Sequence, residues 1–366
     1  MPKPEKPADP TEFKLVIPRL RQKWPLPSQP RPIVIVGAGG IVNDAHLPAY
    51  RKAGLPVAGV YDVNPEQSRK TAERYSIPRV YSRLEECFQD PSVVIDLAVP
   101  PQHVFQVLEE IPPSTTVLIQ KPLGVNLDDA RRIRQLCRRK KLCAAVNFQL
   151  RFSPMMLALR HAAELSLFGE ILDIDFRIQV YTPWHLFPYL AQLDRVEILV
   201  HSVHYLDWIR SVLGEPKGVY ARTVGHPSAP DLRSTRTSAI LDYGDRTRVC
   251  LSINHNFRSE RRHQAATMTL TGSEGAAVAH LGLLLNYPKG EPESLELISQ
   301  GHDWTPVPLT GQWFPDGFSG TMANLQRYAA GEDEVLHTSV EDACKTMAVV
   351  EACYESDAHG ATPIPE

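Results

Sequence analysis

Six residues, Gly37-Ala38-Gly39-Gly40-Ile41-Val42, follow directly on the apolar run Ile33-Val34-Ile35-Val36 and precede a helical pattern. Glycine at 37 permits a tight turn, and glycine at 39 lets the backbone approach a pyrophosphate. The helix that follows offers unpaired N–H groups and the positive end of its dipole. Gly40 and Ile41 belong to the same phosphate-facing turn, and Val42 stands where a third glycine is usual, which sets helix and strand slightly further apart. Asp62 closes the next strand pattern. A carboxylate there accepts hydrogen bonds from both adenosine-ribose hydroxyls and repels a 2′-phosphate. The expected cofactor is therefore NAD, with NADP less favoured but kept open by Arg69 and Lys70 nearby. A glycine pair alone also occurs in ordinary βα turns. Strand, turn, helix and strand-end acid together argue for a dinucleotide site.

Four further clusters follow in chain order: Asp96-Leu97-Ala98-Val99-Pro100-Pro101-Gln102-His103, Gln120-Lys121-Pro122-Leu123-Gly124, Asn147-Phe148-Gln149-Leu150-Arg151-Phe152-Ser153-Pro154 and His201-Ser202-Val203-His204-Tyr205-Leu206-Asp207. The first three sit at the ends of strand patterns, where an open parallel sheet binds its ligands. Val99, Pro100, His103, Gln120, Lys121 and Asn147 are thereby candidates for the cofactor side of a site.

The elements that must position these residues are legible as two rhythms. Strand patterns at 33–36, 57–61, 93–99, 117–120 and 143–147 alternate with helical patterns at 44–53, 65–75, 84–88, 104–110 and 127–140. Such alternation predicts βαβ units and a parallel, doubly wound sheet. Asn126, Asp128 or Asp129 serves as N-cap of the last helix. After Pro154 come helices at 155–167 and 193–213, then strands with polar alternation at 219–224, 238–243, 247–254 and 267–271, read as an open, mainly antiparallel sheet. A long helix near 339–358 closes the chain, with Ser339 and Asp342 as a capping box. The segmentation expected is an arm at 1–31, a Rossmann domain at 32–150 and an α+β substrate and oligomerisation domain at 151–366. Nine of the 32 prolines fall within the first 32 residues, so that stretch reads as a dispensable arm or linker.

The order of these motifs resembles the Gfo/Idh/MocA oxidoreductases, the family of glucose–fructose oxidoreductase and inositol 2-dehydrogenase, from about Pro32 to Thr362. The resemblance implies a Rossmann domain followed by a larger domain with an open antiparallel sheet, and a substrate cleft between them. It implies hydride transfer between the nicotinamide and a secondary hydroxyl, or the matching ketone, of a sugar, polyol or cyclitol. It places the family's E-K-P motif on Gln120, Lys121 and Pro122, and its late-helix histidine on His204. Two positions depart: Gln120 replaces a glutamate, and Val200 stands where an aspartate is frequent, leaving His201 or Glu197 as stand-ins.

Hydride transfer from a carbinol requires one group to take the hydroxyl proton and another to hold the developing alkoxide. An unperturbed histidine titrates near about 6.5 and a lysine near about 10.4. A neutral Lys121 near pH 7 would need a shift of about 3 pKa units, or about 4 kcal/mol. His204 is accordingly assigned as acid/base and Lys121 as the orienting, alkoxide-stabilising cation. Candidate substrate contacts are Lys121, Arg151, Tyr181, Trp184, His185, His201, His204, Tyr205 and His255. Each has a structural alternative, Tyr181 and Trp184 as packing aromatics and the others as satisfied polar groups. Glu197, His201 and His204 fall at i, i+4 and i+7, a spacing that permits a metal site but reads better as a polar helix face, so no metal is assigned.

Net charge is −3, from 39 Lys+Arg and 42 Asp+Glu, and the basic run from Arg131 to Lys141 lacks aromatic interleaving, so neither nucleic acid nor an anionic membrane is an expected partner. No apolar run approaches a membrane span, and six scattered cysteines suggest neither disulfide framework nor structural zinc. A cytoplasmic setting is expected, with a homodimer or homotetramer formed through the antiparallel sheet. Two other classes stay open. One is a redox-inactive NAD-binding regulator or scaffold. The other is a lyase, hydrolase or epimerase using NAD transiently, or a metal at Glu197, His201 and His204.

Overall fold

The computed structural model describes residues 10–287 and 289–364. The first nine residues of the expected arm lie outside them. In chain order the elements are α1 (Pro10–Val16), β1 (Ile33–Val36), α2 (Leu47–Ala53), β2 (Val57–Tyr61), α3 (Pro65–Tyr75), β3 (Val94–Leu97), α4 (Val104–Glu110), β4 (Thr116–Ile119), α5 (Leu127–Arg139) and β5 (Cys143–Val146). There follow α6 (Pro154–Glu164), β6 (Ile171–Gln179), α7 (Val203–Leu213), β7 (Gly218–Val224), β8 (Arg236–Asp242), β9 (Arg248–Asn254), β10 (Ala265–Gly272), β11 (Gly275–His280), β12 (Ser294–Ser299), β13 (Thr305–Pro306), α8 (Trp313–Ala329) and α9 (Val340–His359). Two π-helical turns, Val42–His46 and Ile198–Ser202, lead into α2 and α7.

The chain forms two compact units. One holds Lys23–Ser153 together with Trp313–Met347, and the other holds the N-terminal segment to Gln22, Pro154–Gln312 and the chain from Ala348. In the first, five parallel strands run in the order β2-β1-β3-β4-β5. Their near-continuous apolar sequences fit strands covered on both faces. Chain order reverses between β1 and β3, which is where a doubly wound sheet opens a ligand crevice. The return of α8 to this unit is a physical consequence of its apolar stripe. Phe318, Met322 and Leu325 are fully buried in one cluster with Ile33, Ile35, Val94, Leu118 and Ala145. Of the three possible caps for α5, Asn126 is the one used, its Oδ1 accepting from the Asp129 N–H at 2.9 Å.

The other unit is built on an eight-stranded sheet, ordered β13-β12-β11-β10-β6-β9-β8-β7. Most pairs are antiparallel, but β6 and β9 run parallel. β6 was not among the expected strands, although Ile174, Phe176 and Ile178 alternate with Asp173, Asp175 and Arg177 in plain period two. The apolar set is fully buried. Phe176 stacks on Tyr205 of α7 at 4.8 Å and meets Trp208 edge-on at 5.9 Å. The opposite sheet face keeps Tyr220, Val224 and Ile240 exposed.

The described part of the stretch read as an arm or linker is packed along its length. In the eight-stranded unit Phe13, Ile17 and Leu20 are buried, Phe13 stacks on His302 at 4.6 Å, and the Gln22 side chain donates to the Pro308 carbonyl at 3.0 Å. In the parallel-sheet unit Trp24 Nε1 donates to Asp333 at 2.8 Å. The short apolar patches between the prolines are docking residues. Among the described residues no helix is long and apolar enough to cross a membrane. All six cysteines are free, and burial pushes the Cys87, Cys137 and Cys353 thiols up to about 12, which makes them poor nucleophiles.

Candidate active site

In the parallel-sheet unit the glycine turn leaves β1 with Gly37 at φ +99°, a backbone conformation costly for any residue with a Cβ. A side chain there would also strike the Ala98 carbonyl oxygen at 2.4 Å. Gly39 is different: a Cβ at 39 would meet nothing within 4 Å, so the turn presents bare backbone to open space. That is the requirement for close approach of a pyrophosphate, and the residues present fit the dinucleotide. Asp62 stands at the end of β2, its Oδ2 accepting from the Ala38 N–H at 2.7 Å and its Oδ1 from the Asn64 N–H at 2.8 Å. Gly40 and Ile41 continue the turn, and Val42, fully buried, begins the π-helical turn.

Sequence reasoning missed what locks this turn. Asn43 Nδ2 donates to the carbonyls of Ala38 and Gly39 at 2.9 and 3.1 Å, and Gln67 Nε2 donates to the Ala38 carbonyl at 2.8 Å. Beneath it lies a fully buried polar group: His46 Nδ1 meets Asp96 Oδ2 at 2.7 Å, and the Tyr50 hydroxyl donates to the same oxygen at 2.8 Å. Burial, then the Asp96 charge, raises the Tyr50 pKa. Asn147 extends the chain of contacts, its Nδ2 3.4 Å from His46 Nε2 and its Oδ1 accepting from Thr321 at 2.7 Å. Asn147 is thus fully enclosed and holds α8 to β5 rather than presenting a surface to a cofactor. The available signal was an aspartate inside the apolar β3 sequence, since a buried acid requires partners.

Lys121 follows β4, joined to Pro122 by a cis peptide bond. Gln120, almost fully buried, turns its Oε1 back to accept from the Lys121 N–H at 3.2 Å. Lys121 keeps partial exposure as a residue, but its ammonium is desolvated and burial pushes its pKa down to about 8. Val99 is partly exposed, while Pro100 and His103 are exposed at the end of β3 and in the short turn after it. Arg151 is a buried structural arginine. Its guanidinium donates to Asp342 at 2.7 Å and to the His337 carbonyl at 3.0 Å, anchoring the start of α9.

In the eight-stranded unit the second set of candidates gathers around the π-helical turn. The helix begins only at Glu197, and winding Ile198–Ser202 as a π turn alters the simple i, i+4, i+7 face. Glu197 is fully buried, accepts from Ser202 Oγ at 2.8 Å and lies 3.6 Å from His255 Nε2. His255 is fully buried too, with Nδ1 2.8 Å from Thr182 Oγ1. The His201 ring, partly exposed, lies 4.2 Å from that of His255, and Trp184 meets His201 edge-on at 5.3 Å. Trp184 is fixed by a 3.1 Å hydrogen bond from Nε1 to Asn256. His204 is buried on α7, and Tyr181 and His185 are exposed.

Like Arg151, two further expected substrate contacts are corrected. Tyr205 is a core residue whose pKa is raised by burial first and by Glu197 second, and His255 has no surface to offer a ligand. Val200 is buried and apolar, so it supplies no carboxylate. Among the described residues no three His, Cys, Asp or Glu side chains are grouped so as to hold a metal ion, and Glu197, His201 and His204 therefore do not form a ligand set.

A parallel sheet with a bare glycine turn and a strand-end acid, in a chain that also carries a large mixed sheet, defines a dinucleotide-binding oxidoreductase. Residues 31–148 match the NAD-binding Rossmann fold of the Gfo/Idh/MocA oxidoreductase family and residues 197–365 match its C-terminal alpha/beta domain. The chain belongs to that family, and it is an enzyme of the dehydrogenase/reductase kind. It is 25% identical over 340 residues to a D-apiose dehydrogenase of Paraburkholderia graminis, covering 88% of this chain and 87% of the relative. Among solved structures it is similar to an oxidoreductase from Agrobacterium radiobacter in complex with NAD+, L-tartaric acid and magnesium. That likeness has a TM-score of 0.73 at 22% identity and covers 91% of this chain and 98% of the other. It is also similar to the aldose-aldose oxidoreductase of Caulobacter crescentus, with a TM-score of 0.75 at 15% identity, covering 91% and 99%.

Proposed function

We propose that this enzyme is an NAD-dependent dehydrogenase, or reductase in the reverse direction, acting on a secondary hydroxyl of a sugar, polyol or cyclitol. The observation that carries the reading is Lys121, a lysine at the end of a central strand whose pKa burial holds near about 8. Bound NAD supplies the hydride acceptor. At neutral to mildly alkaline pH Lys121 has a substantial neutral fraction, so it accepts the hydroxyl proton as well as orienting the hydroxyl. His204 is the second acid/base group. A sugar-dehydrogenase relative covering most of the chain supports the substrate class.

Preference for NAD over NADP is supported by Asp62 and by the engagement of the nearby cations. Lys70 pairs with Glu66 at 2.7 Å, and Arg69 donates to the Pro65 carbonyl. Exposed Tyr220, Val224 and Ile240 on the large sheet support a second copy of the chain covering that face, which sedimentation measures directly. Turnover is tested with a panel of sugars and cyclitols, following nicotinamide absorbance with NAD and with NADP. Lys121→Ala should lower kcat by about 10² or more, the range for lost acid–base help. Alcohol oxidation should fall about tenfold per pH unit below about pH 8 and level off above it, because the protonated lysine accepts no proton. Tight NAD binding with no turnover of any panel member, or a flat profile through pH 8, overturns the reading.

A further inference from the structure

Neither Lys121 nor His204 accounts for the most enclosed charged side chain of the eight-stranded unit. Glu197 has no exposed surface, its N–H is 3.3 Å from Ser234 Oγ, and the described residues place no lysine or arginine ion pair on it. What faces it is His255: Thr182 holds the ring at Nδ1 by a 2.8 Å hydrogen bond, and the Glu197 carboxylate lies 3.6 Å from Nε2, close to it but beyond a hydrogen bond. The backbone of His255 is equally fixed, its N–H donating to the Thr235 carbonyl at 3.1 Å and its carbonyl accepting from the Thr182 N–H at 3.0 Å.

This rigid ring forms a wall. The His201 imidazole lies against it at 4.2 Å with 32° between the planes, and Trp184 closes a second side at 81°. Of the two imidazoles only His201 is partly exposed. A polar ring clamped on two sides and presented at one edge has lost most of its rotamer freedom before a ligand arrives, which is how a site gains affinity and orientation. The π-helical turn matters here, since it sets Glu197 and His201 at the wide turn and not on a regular α-helical face.

We infer that Glu197, His255 and Thr182 are positioning residues that set the ring of His201, and that His201 so held is a specificity-determining contact for a substrate hydroxyl. The inference rests on the proposed polyol reaction. A hydroxyl is the group suited to it, because an imidazole nitrogen and a hydroxyl exchange one directional hydrogen bond without needing opposite charge.

A double-mutant cycle on the best substrate of the panel tests it. His201→Ala should lower kcat/KM by about tenfold or more, mainly through KM, with the KM for NAD unchanged. Glu197→Gln and His255→Gln should each lower kcat/KM severalfold in the wild-type background. In the His201→Ala background they should have almost no further effect, because positioning residues act only through the ring they position. If His255→Gln fails to fold, Thr182→Val takes its place in the same cycle, keeping the imidazole but removing the hydrogen bond that orients it. Equal losses in both backgrounds mean a general structural role and overturn the inference alone. A wild type that binds NAD and oxidises nothing in the panel overturns the functional reading and this inference with it.

Discussion

Among the described residues each unit contains a π-helical turn and a buried histidine–carboxylate pair, and the two pairs are built differently. In the parallel-sheet unit His46 and Asp96 are in hydrogen-bond contact at 2.7 Å, and Tyr50, Asn147 and Thr321 complete the group. In the eight-stranded unit His255 and Glu197 stand 3.6 Å apart with no hydrogen bond between them. Each carboxylate keeps one oxygen, Asp96 Oδ1 and Glu197 Oε2, without a hydrogen-bond partner among the described residues, and His255 Nε2 has none either. A buried polar network is stabilising when satisfied and costly when partly satisfied. The first pair, whose Asp96 Oδ2 takes hydrogen bonds from both His46 and Tyr50, belongs to the frame under the dinucleotide turn. The second gives up stability to hold a ring in place, the pattern expected near a ligand site.

Substitutions can break this contrast. Asp96→Ala leaves His46 and the Tyr50 hydroxyl enclosed without their acceptor and should cost about 3–5 kcal/mol, read from denaturant unfolding, with loss of NAD affinity alongside. Glu197→Ala should cost less, about 1–3 kcal/mol, because its carboxylate loses one hydrogen bond, from Ser202, where Asp96 loses two. A penalty at 197 equal to that at 96 would erase the distinction between the two pairs. Smallest of the three, Thr321→Val removes one hydroxyl, shared between Asn147 Oδ1 and the Phe318 carbonyl, and should cost about 1 kcal/mol, leaving the His46–Asp96 contact intact. A loss of several kcal/mol there would mean that the network is one cooperative object and not a pair with supports.

Much of the fold was legible because its signals are local. The βαβ alternation, the Asn126 cap and the helix start at Ser339 each depend on residues a few positions apart, and the structure contains them. β6 was missed despite clear alternation: it lies in the stretch between the helical patterns at 155–167 and 193–213, to which no element was assigned. The arm was misread because proline content masked Phe13, Ile17 and Leu20, whose burial depends on surfaces far along the chain. Tyr205, His255 and Arg151 were candidates by residue type alone. The nature of a tyrosine, histidine or arginine does not say whether it faces solvent or a partner inside.

By itself the sequence determined the glycine turn, the acid at the end of β2 and the lysine after β4, because each is a short stretch whose chemistry and backbone demand coincide. Only the tertiary structure decided which buried groups meet. His46 and Asp96 lie 50 residues apart, and Asn147 and Thr321 lie 174 apart. The lowered Lys121 pKa is of the same kind. Desolvation is a property of everything that packs around a charge, and no spacing along the chain records it.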